Sequence, residues 1–181
     1  MKLQNLQSDR LNMIEISQDG LHDMHEYSTR NEMYDYLEFP PHNSIRDTKI
    51  YLNKLINRSK KDNGHYWFIK YKENSKIIGT FGIHDIDWRK KIGEVSYGVS
   101  PEYSRRGIFT EVLQCVLDYL FNELDFHRIC ATTRYDNLGS IKGLEKSGFK
   151  IEGRMKNFYL SHDGNRYDAV ILGVINKGSK N

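Results

Sequence analysis

Ser104-Arg105-Arg106-Gly107 lies where the residue pattern changes from strand to helix. A glycine at such a junction lets the backbone come close to a ligand. The first N–H groups of the following helix have no partner within it, and the helix dipole adds partial positive charge. A phosphate or pyrophosphate is a natural guest of that turn. Arg105 and Arg106 would add charge-assisted donors. The loop is not a Walker A sequence, since no Lys follows its glycine, and it is not a Gly-x-Gly-x-x-Gly fingerprint. An ordinary loop with two solvated arginines has the same composition, so its neighbours must decide.

Other reactive residue types are sparse. His22 and His25 stand three apart on a helical pattern with no third ligand in reach, which reads as a solvent-facing pair rather than a metal site. His84-Asp85-Ile86-Asp87 is a polar strand end that could line a substrate cleft, but no chemical role is assigned to it. Cys115 and Cys130 are too few and too far apart for a disulfide or metal framework. Both sit in apolar patterns and read as buried free thiols. No Ser-His-Asp context or activated cysteine points to covalent catalysis.

The elements that position these residues follow from periodicity and punctuation. Leu11 to Ile16 alternates as a strand, and Gln18 to Tyr27 is helical, with Leu21, Met24 and Tyr27 at intervals of three. Phe39 to Ser44 breaks the chain. Ser44 caps a helix to about Ser59, with Asp47 three residues on and Ile50, Leu52, Leu55 and Ile56 near one face. His65–Tyr71, Lys76–Asp87 and Gly93–Val99 are strands separated by turns. After the loop, Leu113, Val116, Leu117, Leu120, Phe121 and Leu124 mark an amphipathic helix. A strand at Arg128–Thr133, a short helix at Ser140–Ser147 closed by Gly148, and two strands, Phe149–Tyr159 and Tyr167–Val174, complete the chain. Asn176 to Asn181 is a tail expected to fray. The order β-α-α-β-β-β-α-β-α-β-β predicts an α/β (α+β) fold, a mixed central sheet with helices on both faces, in one domain spanning 1–181.

Bulk composition bounds the function. Hydrophobic residues make up 38% of the 181 and aromatics 12%, with 12 Tyr, so the core should be small and aromatic-rich. A net charge of +3, from 27 basic and 24 acidic residues, argues against a nucleic-acid binder. The basic runs Arg58–Lys61 and Arg89–Lys91 read as a solvated helix end and a turn. The opening residues lack the apolar segment of a signal peptide, and no run reaches membrane-spanning length. A cytoplasmic protein with no membrane partner is the expectation.

Val99-Ser-Pro101 followed by Ser104-Arg-Arg-Gly-Ile-Phe109 resembles the pyrophosphate loop of the GCN5-related N-acetyltransferases, the GNAT superfamily, whose signature is Gln/Arg-x-x-Gly-x-Gly/Ala after a strand ending in Val-x-Pro. The likeness extends along the chain and is strongest to the RimJ/RimL branch. Ser8-Asp-Arg-Leu11 is similar to its opening, and Tyr36-Leu-Glu-Phe-Pro-Pro41 to the segment between its first two helices. Gly93-Glu-Val-Ser-Tyr-Gly-Val99 is similar to its strand before the loop. Asn137-Leu-Gly-Ser140 and Glu145-Lys-Ser-Gly-Phe149 are similar to its block after it. Ser104 and Phe109 depart from the pattern: a side-chain donor is exchanged, and a ring stands where a small residue is usual. The cradle is therefore open only if the Phe109 ring points out of it.

The resemblance implies the GNAT fold, acetyl-CoA as donor and no metal. It implies a primary amine as acceptor, attacking the thioester directly. Glu94 then takes the proton of the acceptor ammonium, directly or through water, and Ser140 serves the leaving thiolate. The tyrosine often used for the second task would stand four residues after Ser140, where this chain has Leu144. Cofactor contacts fall to Val99, Arg105, Arg106, Gly107, Ile108, Phe109 and Asn137. The acceptor falls to Tyr36, Glu38, Tyr97 and Tyr159, within a wider acidic and aromatic set that includes Tyr27, Glu32, Tyr34 and Asp168. A protein N-terminal amine such as that of a ribosomal protein, a polyamine, an amino sugar or an aminoglycoside all fit. So does a non-catalytic acyl-CoA-binding regulatory module on the same fold. Monomer and homodimer are both compatible.

Overall fold

A computed structural model describes residues 3–61 and 63–178. Leu6–Gln7 (β1) and Leu11–Glu15 (β2) form a small antiparallel pair. After a single 3-10 turn at Gln18–Gly20 come two helices, Leu21–Ser28 (α1) and Ile45–Ser59 (α2). Gly64–Tyr71 (β3), Ile77–Asp87 (β4) and Ile92–Val99 (β5) form an antiparallel meander. Ile108–Asp118 (α3), Arg128–Arg134 (β6) and Leu138–Lys146 (α4) follow, and the hairpin Lys150–Leu160 (β7) with Arg166–Ile175 (β8) ends the fold. All strands join one sheet in the order β1-β2-β3-β4-β5-β6-β8-β7. Among the described residues only β5 and β6 pair in parallel.

One apolar layer lies under α3 and α4 and is built on Trp67, Phe81, Val112, Val116, Phe126 and Leu144. The other lies under α1 and α2, on Met24, Tyr27, Leu52, Leu55 and Phe68. Helices thus cover both faces, as the element order predicts. The capping box at Ser44 is present: its hydroxyl accepts from the Asp47 N–H, and the Asp47 carboxylate accepts from the Ser44 N–H. Among the described residues no helix is long and apolar enough to cross a membrane.

Several boundaries differ from the sequence reading, each for a local reason. The two-residue β1 is too short to show any period. The helix after the loop stops at Asp118 and finishes in a π turn, Tyr119–Glu123, although the apolar stripe runs on. Ile50 is exposed, since it falls two residues from Leu52 and so on another side of α2. His25 is not solvent-facing: its Nδ1 lies 2.7 Å from the Thr48 hydroxyl, which also meets His42 Nδ1 at 2.9 Å, tying α1 to α2. Cys115 and Cys130 are free but half-buried. Asn176 is anchored rather than frayed, its side-chain amide donating to the Phe121 and Phe126 carbonyls. The rest of that tail, residues 179–181, lies outside the described residues.

Candidate active site

The parallel pairing of β5 with β6 covers only Ile92↔Arg128, Gly93↔Ile129 and Glu94↔Cys130. Beyond Glu94, β5 stays with β4 as far as Val99, while β6 stays with β8 as far as Arg134. The two strands therefore part, and their facing backbone groups have no ladder partner between Val95 and Val99. An extended ligand carrying amides can supply the missing partners, and the pantetheine arm of CoA is such a chain.

A cavity of about 310 Å³ opens at this split. Seven of the residues singled out in the sequence line it: Tyr36, Glu38, Glu94, Tyr97, Asn137, Ser140 and Tyr159. They come from the loop before α2, from β5, from the start of α4 and from β7, and only tertiary structure brings them together. A second cavity between α1 and β4, beside Asp23, Tyr27 and Lys76, measures about 20 Å³ and holds no more than a water-sized group.

Ser140 does not open its helix. Asn137 does, accepting the Ser140 N–H at 3.1 Å with its side-chain oxygen. The cap is thus provided by Asn137, and the Ser140 hydroxyl is free for another bond. It lies 2.5 Å from the Tyr97 hydroxyl, across the split from β5 to α4. Burial pushes the Tyr97 phenol upward, outweighing the Ser140 hydrogen bond that pulls it down. Tyr97 therefore stays protonated; either hydroxyl can donate in this pair, and with Tyr97 as donor the serine proton is left to point elsewhere. On β7, the Tyr159 phenol is pushed up to about 12 by burial and then by the charges of Glu94 and Glu38. Glu38 also accepts the Leu160 N–H at 3.1 Å, which fastens the loop before α2 to β7.

Val99 and the loop 105–109 are not part of that cavity's lining. They form a cradle at the start of α3. Gly107 is the N-cap at φ +75 with no side-chain cap, so the first N–H groups of α3 face outward unpaired by a side chain. Arg105 also takes a left-handed conformation, φ +60, a strained state for a residue with a Cβ. The Phe109 ring is turned away from the loop. It lies 4.0 Å from the Tyr97 ring and against Gly143 of α4, where an added Cβ would come within 2.6 Å of it. The steric condition on the cradle is met: the ring leaves the turn at Gly107 open.

Two arginines were missed by sequence reasoning. Arg10 donates to the Arg106 carbonyl at 3.0 Å and to Glu111 of α3 at 2.7 Å, fixing the cradle from outside. The only sequence signal was its place in the opening Ser-x-Arg-Leu. Burial pushes the Glu111 carboxyl up, but hydrogen bonds from Ser8 and from the Arg10 backbone and side chain outweigh it and hold it below the ordinary range. A carboxylate with a depressed folded-state pKa stabilises the fold above its unfolded value and loses that contribution as pH falls through the folded one. Glu111→Gln should therefore melt lower than wild type at pH 7, and the gap should close below about pH 4, as thermal scans across pH would show. Arg134, nearly buried, forks onto Asp136, donates to the Asp35 carbonyl at 2.9 Å and lies 3.4 Å over the Tyr167 ring. It holds the acceptor-side loop to the sheet. Of the wider acidic and aromatic set, Tyr27 is core, Tyr34 donates to the Ser28 carbonyl, and Asp168 pairs with Arg154.

Comparison with known proteins agrees with this geometry. The family model for the acetyltransferase (GNAT) domain matches residues 10–150. An uncharacterised N-acetyltransferase of Bacillus subtilis, YoaA, is 26% identical over 170 residues, covering 94% of this chain and 96% of its own. Among solved structures, the ribosomal-protein-S5-alanine acetyltransferase of Vibrio fischeri superposes with a TM-score of 0.83 at 24% identity, over 98% of this chain and 99% of that one. The spermidine N-acetyltransferase of Vibrio cholerae, solved with CoA and spermine, gives 0.79 at 18% identity, over 96% and 100%. The chain belongs to the GNAT family and is an N-acetyltransferase with acetyl-CoA as its acetyl donor.

Proposed function

We propose that this enzyme acetylates a cationic primary amine, in the manner of the RimJ/RimL branch, by direct attack of the amine on the thioester. The observation that carries the reading is the cavity at the parted strands. It places the carboxylates of Glu94 and Glu38 beside the rings of Tyr36 and Tyr159, while its one guanidinium, Arg134, is occupied by Asp136. Carboxylates and ring faces favour a cation. A ribosomal protein in one structural neighbour and a polyamine in another are both acceptors of this kind. A protein N-terminal amine is the first choice, because the cavity is open at Tyr36 and Phe39, where a longer chain can pass. A polyamine is the second.

Each residue then has a task. Arg10 and Gly107 shape the turn at the start of α3, whose N–H groups hold the pyrophosphate. The unladdered edge of β5 up to Val99 aligns the pantetheine arm. An acceptor ammonium, with an ordinary pKa near 10.4, must lose a proton before its nitrogen can attack, and Glu94 receives it. Ser140, held by Tyr97, donates a hydrogen bond to the departing sulfur, whose thiol has an ordinary pKa near 8.5. The thioester supplies the activated acetyl group.

Release of free CoA from acetyl-CoA, followed across N-terminal peptides of ribosomal proteins, polyamines, amino sugars and aminoglycosides, tests the reading. Acceptor-dependent release with peptides is the expected result. Release with polyamines alone would select the second choice. Tight acetyl-CoA binding with no release on any amine would point to the non-catalytic module.

A further inference from the structure

His84, left without a role in the sequence, sits on the rung of the β4–β5 ladder opposite Glu94, and both line the cavity. One residue later β4 carries a bulge. Asp85 and Ile86 together oppose Gly93 alone, since the next matched pair is Asp87↔Ile92. Asp85 absorbs the irregularity with φ +51. In a regular strand its side chain would leave by the other face. Here its carboxylate turns back and lies 2.9 Å from His84 Nδ1. An ionised carboxylate only accepts, so Nδ1 is the donor of this bond, and in the neutral ring that tautomer leaves Nε2 as the acceptor.

One ring nitrogen of His84 and one carboxylate oxygen each of Asp85 and Glu94 lie within 4.8 Å of one another, a span that one water bridges. Glu94 and His84 are both half-buried, and exposure rises from the His84 side chain, at 24%, to that of Asp85, at 77%. The charged and titratable groups facing the ring are Asp85 on its own strand and Glu94 on β5. Arg58 on α2 feels the Asp85 charge, and Glu38, Arg134 and Tyr159 stand across the cavity.

The chemistry requires such a path. As the C–N bond forms and the C–S bond breaks, the nitrogen sheds two protons. One ends on the sulfur, and the other must reach solvent before Glu94 can serve again. We propose that His84, oriented by Asp85, is the proton exit of the site. It takes that proton from Glu94 through water and passes it to bulk solvent. This rests on Glu94 as the base.

The test uses the full chain. In His84→Ala, kcat should fall at least about tenfold while KM for acetyl-CoA stays put. Free imidazole in the assay should restore the rate in that variant and leave wild type unchanged. Asp85→Asn keeps a residue that tolerates the left-handed conformation and should lose severalfold in kcat. Full activity of His84→Ala, or a loss that imidazole never repairs in a variant melting like wild type, would overturn the proposal. If His84→Ala does not fold, Asp85→Asn decides, and a wild-type rate overturns it. Loss of wild-type activity on chelation, with recovery on adding zinc, would also overturn it, making the trio a metal site. Wild type inactive on every amine removes the acetyl-transfer reading itself. Wild type active with His84→Ala equally active removes only the exit.

Discussion

Glu94→Gln should lower kcat about 100-fold or more, an increase of about 2.7 kcal/mol in the barrier, with KM for acetyl-CoA nearly unchanged. The substitution keeps the shape and removes only the ability to hold a proton. The fold should tolerate it, because Glu94 is half-buried and faces the cavity rather than the core. The donor should bind as before, because the cradle at Gly107 is formed by other residues. A steady-state comparison of kcat and KM, with thermal melting as control, checks all three. Loss of acetyl-CoA binding in this variant, or an unchanged kcat, would remove Glu94 from the chemistry.

Phe109→Ala should cost about 2–3 kcal/mol of stability, somewhat under the range for a fully buried Phe because the ring is half-buried. The ring lies between Tyr97 on β5 and Gly143 on α4, and Gly143 is what lets it fit. Removing it leaves a gap where three elements meet and frees Tyr97 to move. The Tyr97–Ser140 bond should then loosen, and kcat should fall together with the melting temperature. Affinity for CoA should not rise, because the ring does not occupy the cradle. Denaturant unfolding and a CoA titration read the two effects separately. Tighter CoA binding in Phe109→Ala would show that the ring obstructs the loop after all.

What was legible in the sequence were features with local causes. The Ser44 capping box, the stripe from Leu113 to Leu120 and the glycine at the start of α3 each declare themselves within a few residues. So did the chemical types in the cavity, since a Glu, a Ser and several Tyr at those positions resemble a known family. Three things were not legible. The split between β5 and β6 depends on which neighbour each strand keeps, and for β6 that is decided by pairings with β8 from 35 to 47 residues away, beyond any local pattern. The role of Arg10 depends on a contact 96 residues away. The use of His84 depends on a single bulge residue, Asp85, whose left-handed backbone nothing in its type requires. Ser140 shows the limit most plainly. Its type fitted a helix cap as well as chemistry, and only the position of Asn137 separates the two.

The backbone ladder of this protein is two antiparallel blocks, β1 to β5 and β6 to β8, stitched by three residue pairs that end at Glu94. A donor lying along the open edge adds rungs where the chain has none. In the proposed binding mode the acetyl carrier is a temporary strand, and the enzyme's sheet is complete only while the donor is bound. On that proposal every cycle of binding and release closes and reopens the seam next to Glu94, the carboxylate proposed as base.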